Sequence, residues 1–78
     1  MPIVLPLHVQ KDPRRPNTTT VKDANGRDVG LIHRRFGRWS NFPSDEATGK
    51  THVEPGPFPT MEEAFEAYRV ALGDLRDT

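Results

Sequence analysis

An α+β domain, a three- to four-stranded antiparallel sheet packed on one C-terminal helix, is what this sequence predicts. Three observations predict it. Asn25-Gly26 stands between two extended stretches, the strongest short hairpin signal, because both residues accept the positive φ of a type I′ turn. Met61, Ala64, Phe65, Tyr68, Ala71, Leu72 and Leu75 recur at helical spacing as one continuous apolar stripe. The connections between the extended stretches are short, which suits antiparallel neighbours.

Residues 1–17 carry Pro2, Pro6, Pro13 and Pro16 and read as an irregular proline-rich arm, with 18–78 as the single folded domain. Proline is tolerated at sheet edges, so "PIVLPLHV" could also lie along the sheet as an edge strand or reach to a second subunit. Thr18 to Asp23 is a β-branched run ending at the Asn25-Gly26 turn. A strict two-residue loop there would set Asp23 opposite Asp28, an unfavourable like-charge pair, so a longer loop is expected.

"DVGLIHRR", Asp28 to Arg35, reads as the next strand, and Phe36-Gly37 turns it into Arg38 to Phe42. "PSDEATGK", Pro43 to Lys50, is a turn-rich loop, and Thr51 to Glu54 reads as a short final strand. Thr60 and Glu63 form a capping box at the start of the helix, with Glu62 and Glu63 set against the positive end of its dipole. Gly73 ends the regular part and leaves Asp74 to Thr78 to fray. Phe58, between Pro57 and Pro59, plugs the seam between helix and sheet.

At 78 residues the chain holds one small core, since such a length buries only about 60% of its unfolded surface. The hydrophobic content of 33% and mean hydropathy of −0.72 leave little apolar surface to spare. The absence of cysteine excludes a disulfide framework and thiolate chemistry and fits a reducing cytoplasm. The apolar N-terminus lacks a basic leader and is too short to span a bilayer, so neither a signal peptide nor a membrane anchor is expected. Asn17-Thr18-Thr19 matches a glycosylation sequon and reads as a polar loop.

Chemistry is not expected. His8, His33 and His52 are scattered, which gives no metal-ligand spacing, and the glycines do not sit between a strand and a helix N-terminus as a phosphate-binding loop requires. Glu62, Glu63 and Glu66 read as exposed helix carboxylates, which make poor general acids. The expectation is a non-enzymatic protein without cofactor or metal.

The formal charge is zero, but it is unevenly spread. Met1 to Trp39 has eight basic residues against three acidic, a net of +5; Ser40 to Thr78 has three against eight, a net of −5. That segregation suggests a positive face set against a negative helix. Strand alternation places Leu31 and His33 on one side and Ile32, Arg34 and Phe36 on the other. If the helix covers Leu31 and Trp39, the open side presents Ile32, Arg34, Phe36, Arg38 and Phe42. Arginines interleaved with aromatics suit phosphate contact and base stacking, or equally a protein hot spot, with Arg14, Arg15 and Arg35 in support. A one-residue shift at Gly37 would instead bury Phe42.

From Gly30 to Leu72 the chain resembles the three-stranded-sheet-plus-helix DNA-binding domains typified by plant ethylene-response factors and related to domains of phage homing endonucleases and integrase N-termini. "GLIHRRFGRW" resembles the family's first hairpin, "TGK" at Thr48 to Lys50 its second turn, and "GPFPTMEEAFEAY" its approach to an alanine-rich helix. Val29 and Ile32 stand where the family has arginines. The resemblance implies a sheet face docked on nucleic acid, in an accessory or regulatory protein of a phage or mobile element. The alternative expectation is a protein-interaction or inhibitor module, including a homodimer, that uses the same face.

Overall fold

The computed structural model describes residues 3–49 and 51–74. Its sheet has four strands in sequential order, β1 (His8–Asp12), β2 (Arg15–Lys22), β3 (Asp28–Arg35) and β4 (Arg38–Pro43), every neighbouring pair antiparallel. A short helix, α1 (Asp45–Thr48), follows the sheet, and α2 (Met61–Leu72) packs on one of its sides. The α+β architecture with a C-terminal helix is therefore the observed one.

The fourth strand does not lie where the sequence suggested. Thr51 to Glu54 is irregular, and β1 comes from the stretch read as an arm. Pro6 precedes β1, and Pro13 falls in the turn between β1 and β2, so neither removes a donor from the ladder of β1. The residues before β1 are also fastened. Ala24 N–H donates to the Val4 carbonyl at 2.7 Å, and Leu7, itself buried, donates its N–H to Asp74 Oδ2 at 3.0 Å. Asn17 lies within β2 rather than in a loop.

Between β2 and β3 the loop is longer than two residues, and Asp23 is the reason. Its carboxylate accepts N–H groups from Asn25 and Arg27 at 2.9 Å each and from Val4 at 3.2 Å. It is fully buried and organises the loop instead of facing Asp28. Asp28 pairs with Lys22, whose ammonium reaches the Asp28 carboxylate at 2.9 Å. A bulge at this point leaves Val29 as the extra residue, turned into the core.

The helix behaves as its sequence suggests. Thr60 Oγ1 accepts the Glu63 N–H at 3.2 Å, and Gly73, at φ 81°, closes the C-terminus. Ala64 and Tyr68 are buried, with Met61, Phe65, Ala71 and Leu72 packed against the core; Leu75 lies outside the described residues. Asp74 does not fray. It is buried, it accepts from Leu7, and it stands 3.7 Å from Arg69 Nε.

Leu7, Val21, Val29, Ile32, Val53, Ala64 and Tyr68 form the buried core. Irregular residues 51–57 join it through Val53 and through Asn41, which donates Nδ2 to both the Glu54 and Ala64 carbonyls at 2.9 Å. Phe58 is half-buried at the predicted seam and exchanges backbone hydrogen bonds with Trp39 at 2.8 and 2.9 Å.

Candidate functional site

Two-residue turns dictate which side chains share a side of a sheet. Phe36 and Gly37 have φ of 52° and 74°, and the register across them pairs Arg35 with Arg38, Arg34 with Trp39, Ile32 with Asn41, and Leu31 with Phe42. Trp39 therefore shares a side with Ile32 rather than with Leu31. That side carries the helix, and Ile32 is fully buried beneath it. The expectation that Ile32 belongs to an open binding face is thus corrected, and so is the placement of Leu31 and His33 under the helix.

The open side presents Thr18, Thr20, Leu31, His33, Arg35, Arg38, Ser40 and Phe42. Leu31 and Phe42 are direct cross-strand neighbours and are 38% and 56% exposed. His33 meets Phe42 edge to face at 6.4 Å and lies 3.3 Å from Thr18 Oγ1. Phe42 and Arg38 are thus on the open side as expected. Arg34 is not. Its guanidinium lies 5.9 Å from the Trp39 ring centroid, on the helix side of the hairpin end.

The arginines are gathered by position along the strands more than by side. Thr18 pairs with His33, so the start of β2 runs alongside the end of β3, and the Pro13-Arg14 and Phe36-Gly37 turns lie at the same end of the sheet. Arg14, Arg15, Arg34, Arg35 and Arg38 all belong to that end. Asp12 is beside them, but its Oδ1 accepts the Arg14 backbone N–H at 2.9 Å. Among the described residues none of these five guanidiniums makes an ion pair. The acidic residues Asp45 and Glu46 sit on α1 at the other end, and Glu62, Glu63 and Glu66 are exposed on α2.

Phe36 crowns the basic end. It is 91% exposed, with the Arg35 guanidinium 5.2 Å from its ring centroid. A shallow depression beside it is lined by Asn17, His33, Arg34, Arg35, Phe36 and Gly37. Asn17 was not expected at the site, although the spacing of the two turns along the strands brings it there. Among the described residues no three His, Cys, Asp or Glu side chains come together as a metal site would need, and no helix is long and apolar enough to cross a membrane.

No protein-family model, curated protein or solved structure matches this chain.

Proposed function

We propose that this protein is a small nucleic-acid-binding module that grips phosphates with the hairpin end of its sheet. The observation that carries the reading is the pairing of Arg35 with Arg38 directly across the hairpin, within a group of five arginines that make no ion pair among the described residues. Like charges directly opposite one another destabilise a sheet, so folding does not account for them. A polyanion does, because each guanidinium offers a planar fork of donors to phosphate oxygens. The acidic α1 and α2 make the zero net charge consistent with this role, since a bipolar molecule approaches a polyanion basic end first. Contact end-on through the turns replaces the sheet-face docking implied by the family resemblance, as the face itself is occupied by Leu31, His33 and Phe42.

Binding of labelled single-stranded and duplex DNA, titrated at two salt concentrations, tests the reading. With four or five phosphates engaged, affinity falls by roughly two orders of magnitude between about 50 and about 200 mM salt. Affinity that ignores ionic strength, or survives Arg35→Ala/Arg38→Ala unchanged, sinks it.

A second reading, a protein-interaction module, is favoured by the adjacent exposed pair Leu31 and Phe42. Light scattering against concentration, with Phe42→Ser as the control, tests its homodimeric form. A monomeric mass at every concentration removes that form.

A further inference from the structure

Phe36 violates three local rules at once. It holds φ 52°, a left-handed conformation that disfavours bulky side chains, at a turn position that prefers Asn, Asp or Gly. It is 91% exposed, so it gains almost nothing from burial. The residues that flank its turn, Arg35 and Arg38, are like charges directly opposite one another, an unfavourable cross-strand pair. Such departures from local preference, concentrated at one tip, are expected where function overrides stability.

From this geometry we infer that Phe36 is a stacking platform for one unpaired base of a single-stranded nucleic acid. The inference rests on the phosphate-gripping role proposed above and specifies its ligand. The Arg35 guanidinium covers one face of the ring and leaves the other free, which suits one base rather than insertion between two stacked ones. A base on the free face holds its strand against the hairpin end, where Arg34, Arg35 and Arg38 meet the neighbouring phosphates. The depression lined by Asn17, His33 and Gly37 offers room beside the ring for the attached sugar. Stacking is common to DNA and RNA bases, because each has a π face.

The test compares wild type, Phe36→Asn and Phe36→Trp by fluorescence anisotropy with labelled oligothymidylate, oligouridylate and a blunt DNA duplex. Asn suits the turn, so that variant folds at least as well as wild type, which thermal melting verifies. The expected result is a loss of about 5- to 100-fold in single-strand affinity for Phe36→Asn. Duplex affinity and the salt slope stay at wild-type values, and Phe36→Trp retains single-strand binding. Equal losses on thymidylate and uridylate assign the platform to both nucleic acids, and a loss on one alone assigns it to that one. Wild-type single-strand binding by a folded Phe36→Asn overturns the platform while leaving the arginine grip standing. Wild-type binding that is insensitive to salt overturns both.

Discussion

Tyr68 donates its phenolic hydrogen to the Leu31 carbonyl at 2.8 Å, and the phenolic oxygen itself stands 2.5 Å from where a side chain on Gly30 would begin. Helix and sheet are fastened at this crossing. Gly30 is present there because α2 passes too close for anything larger: an added Cβ would also meet Pro43 Cα at 2.8 Å and the Phe42 carbonyl at 3.0 Å. The fastening fixes which side of the sheet α2 covers, and so leaves Leu31, His33 and Phe42 on the open side.

Tyr68→Phe should cost about 1–3 kcal/mol, since it removes the phenolic hydrogen bond that ties α2 to the Leu31 carbonyl, and Gly30→Ala about 1–3 kcal/mol or more through overpacking. In a chain of this size each kcal/mol lowers Tm by about 4–8 °C. The double variant should be less damaging than the two single losses combined, because removing the hydroxyl relieves one of the clashes. Strict additivity in thermal or urea melts would show that the two groups do not meet. Burial also raises the Tyr68 pKa, with the backbone of Phe42 and Leu31 acting the other way. The wild type should therefore lose stability above about pH 10, where the unfolded chain's phenol ionises and the folded one does not, and Tyr68→Phe should lack that alkaline component.

Asp23 governs the acid limb. Its carboxyl is held below the usual value first by the Arg27 N–H, against the cost of desolvation, then by the Val4 and Asn25 N–H groups and the Arg27 charge. A depressed folded pKa gives stability that is complete above the unfolded value of about 3.9 and is lost as pH falls through the folded one. Asp23→Asn should lower Tm at neutral pH and flatten the decline below about pH 4. Unchanged curves in both regions would deny the carboxylate this role.

Asn41 clamps residues 51–57 and α2 to β4 with one amide, while its Oδ1 is buried with no hydrogen-bond partner among the described residues. Asn41→Ala should cost about 1–3 kcal/mol by freeing two carbonyls of their donor. Amide exchange should then quicken at Trp39 and Phe58, whose mutual bonds depend on the same segment staying in place. Protection there equal to wild type would show that the clamp is redundant.

Elements whose signals are local were legible: the Phe36-Gly37 turn, β3, the Thr60 cap, the stripe of α2 and the Gly73 stop. The prolines of the first 17 residues hid β1, because a composition rich in proline looks irregular even though Pro6 precedes β1, Pro13 falls in the turn after it and Pro16 is taken into the start of β2. Thr51 to Glu54 misled for the opposite reason: buried Val53 gives the stretch a strand-like pattern, yet the Asn41 side chain takes its Glu54 carbonyl. At the site, assigning sides strand by strand misplaced Ile32, although the two-residue turn already implied that Ile32 shares a side with Trp39. Legible from the start were the arginines and Phe36 as an unusual set. The end they share emerges only from the β2–β3 pairing, a long-range property that no window of sequence contains.

Arg35→Glu separates the demands of folding from those of binding. The substitution turns the like-charged cross-strand pair with Arg38 into an opposite-charged one, which should stabilise the hairpin by about 0.2–1 kcal/mol. Nucleic-acid affinity should move the other way, with the salt slope shallower by about one for the lost phosphate contact and a further decrease from the introduced repulsion. Chemical denaturation and salt-dependent binding measured on the same preparation give both quantities. A variant more stable than wild type but weaker in binding is what a tip arranged for a polyanion predicts. If Arg35→Glu instead destabilises the fold, the guanidinium is there for the hairpin, and the reason for placing Arg35 opposite Arg38 has to be sought within the structure rather than in a ligand.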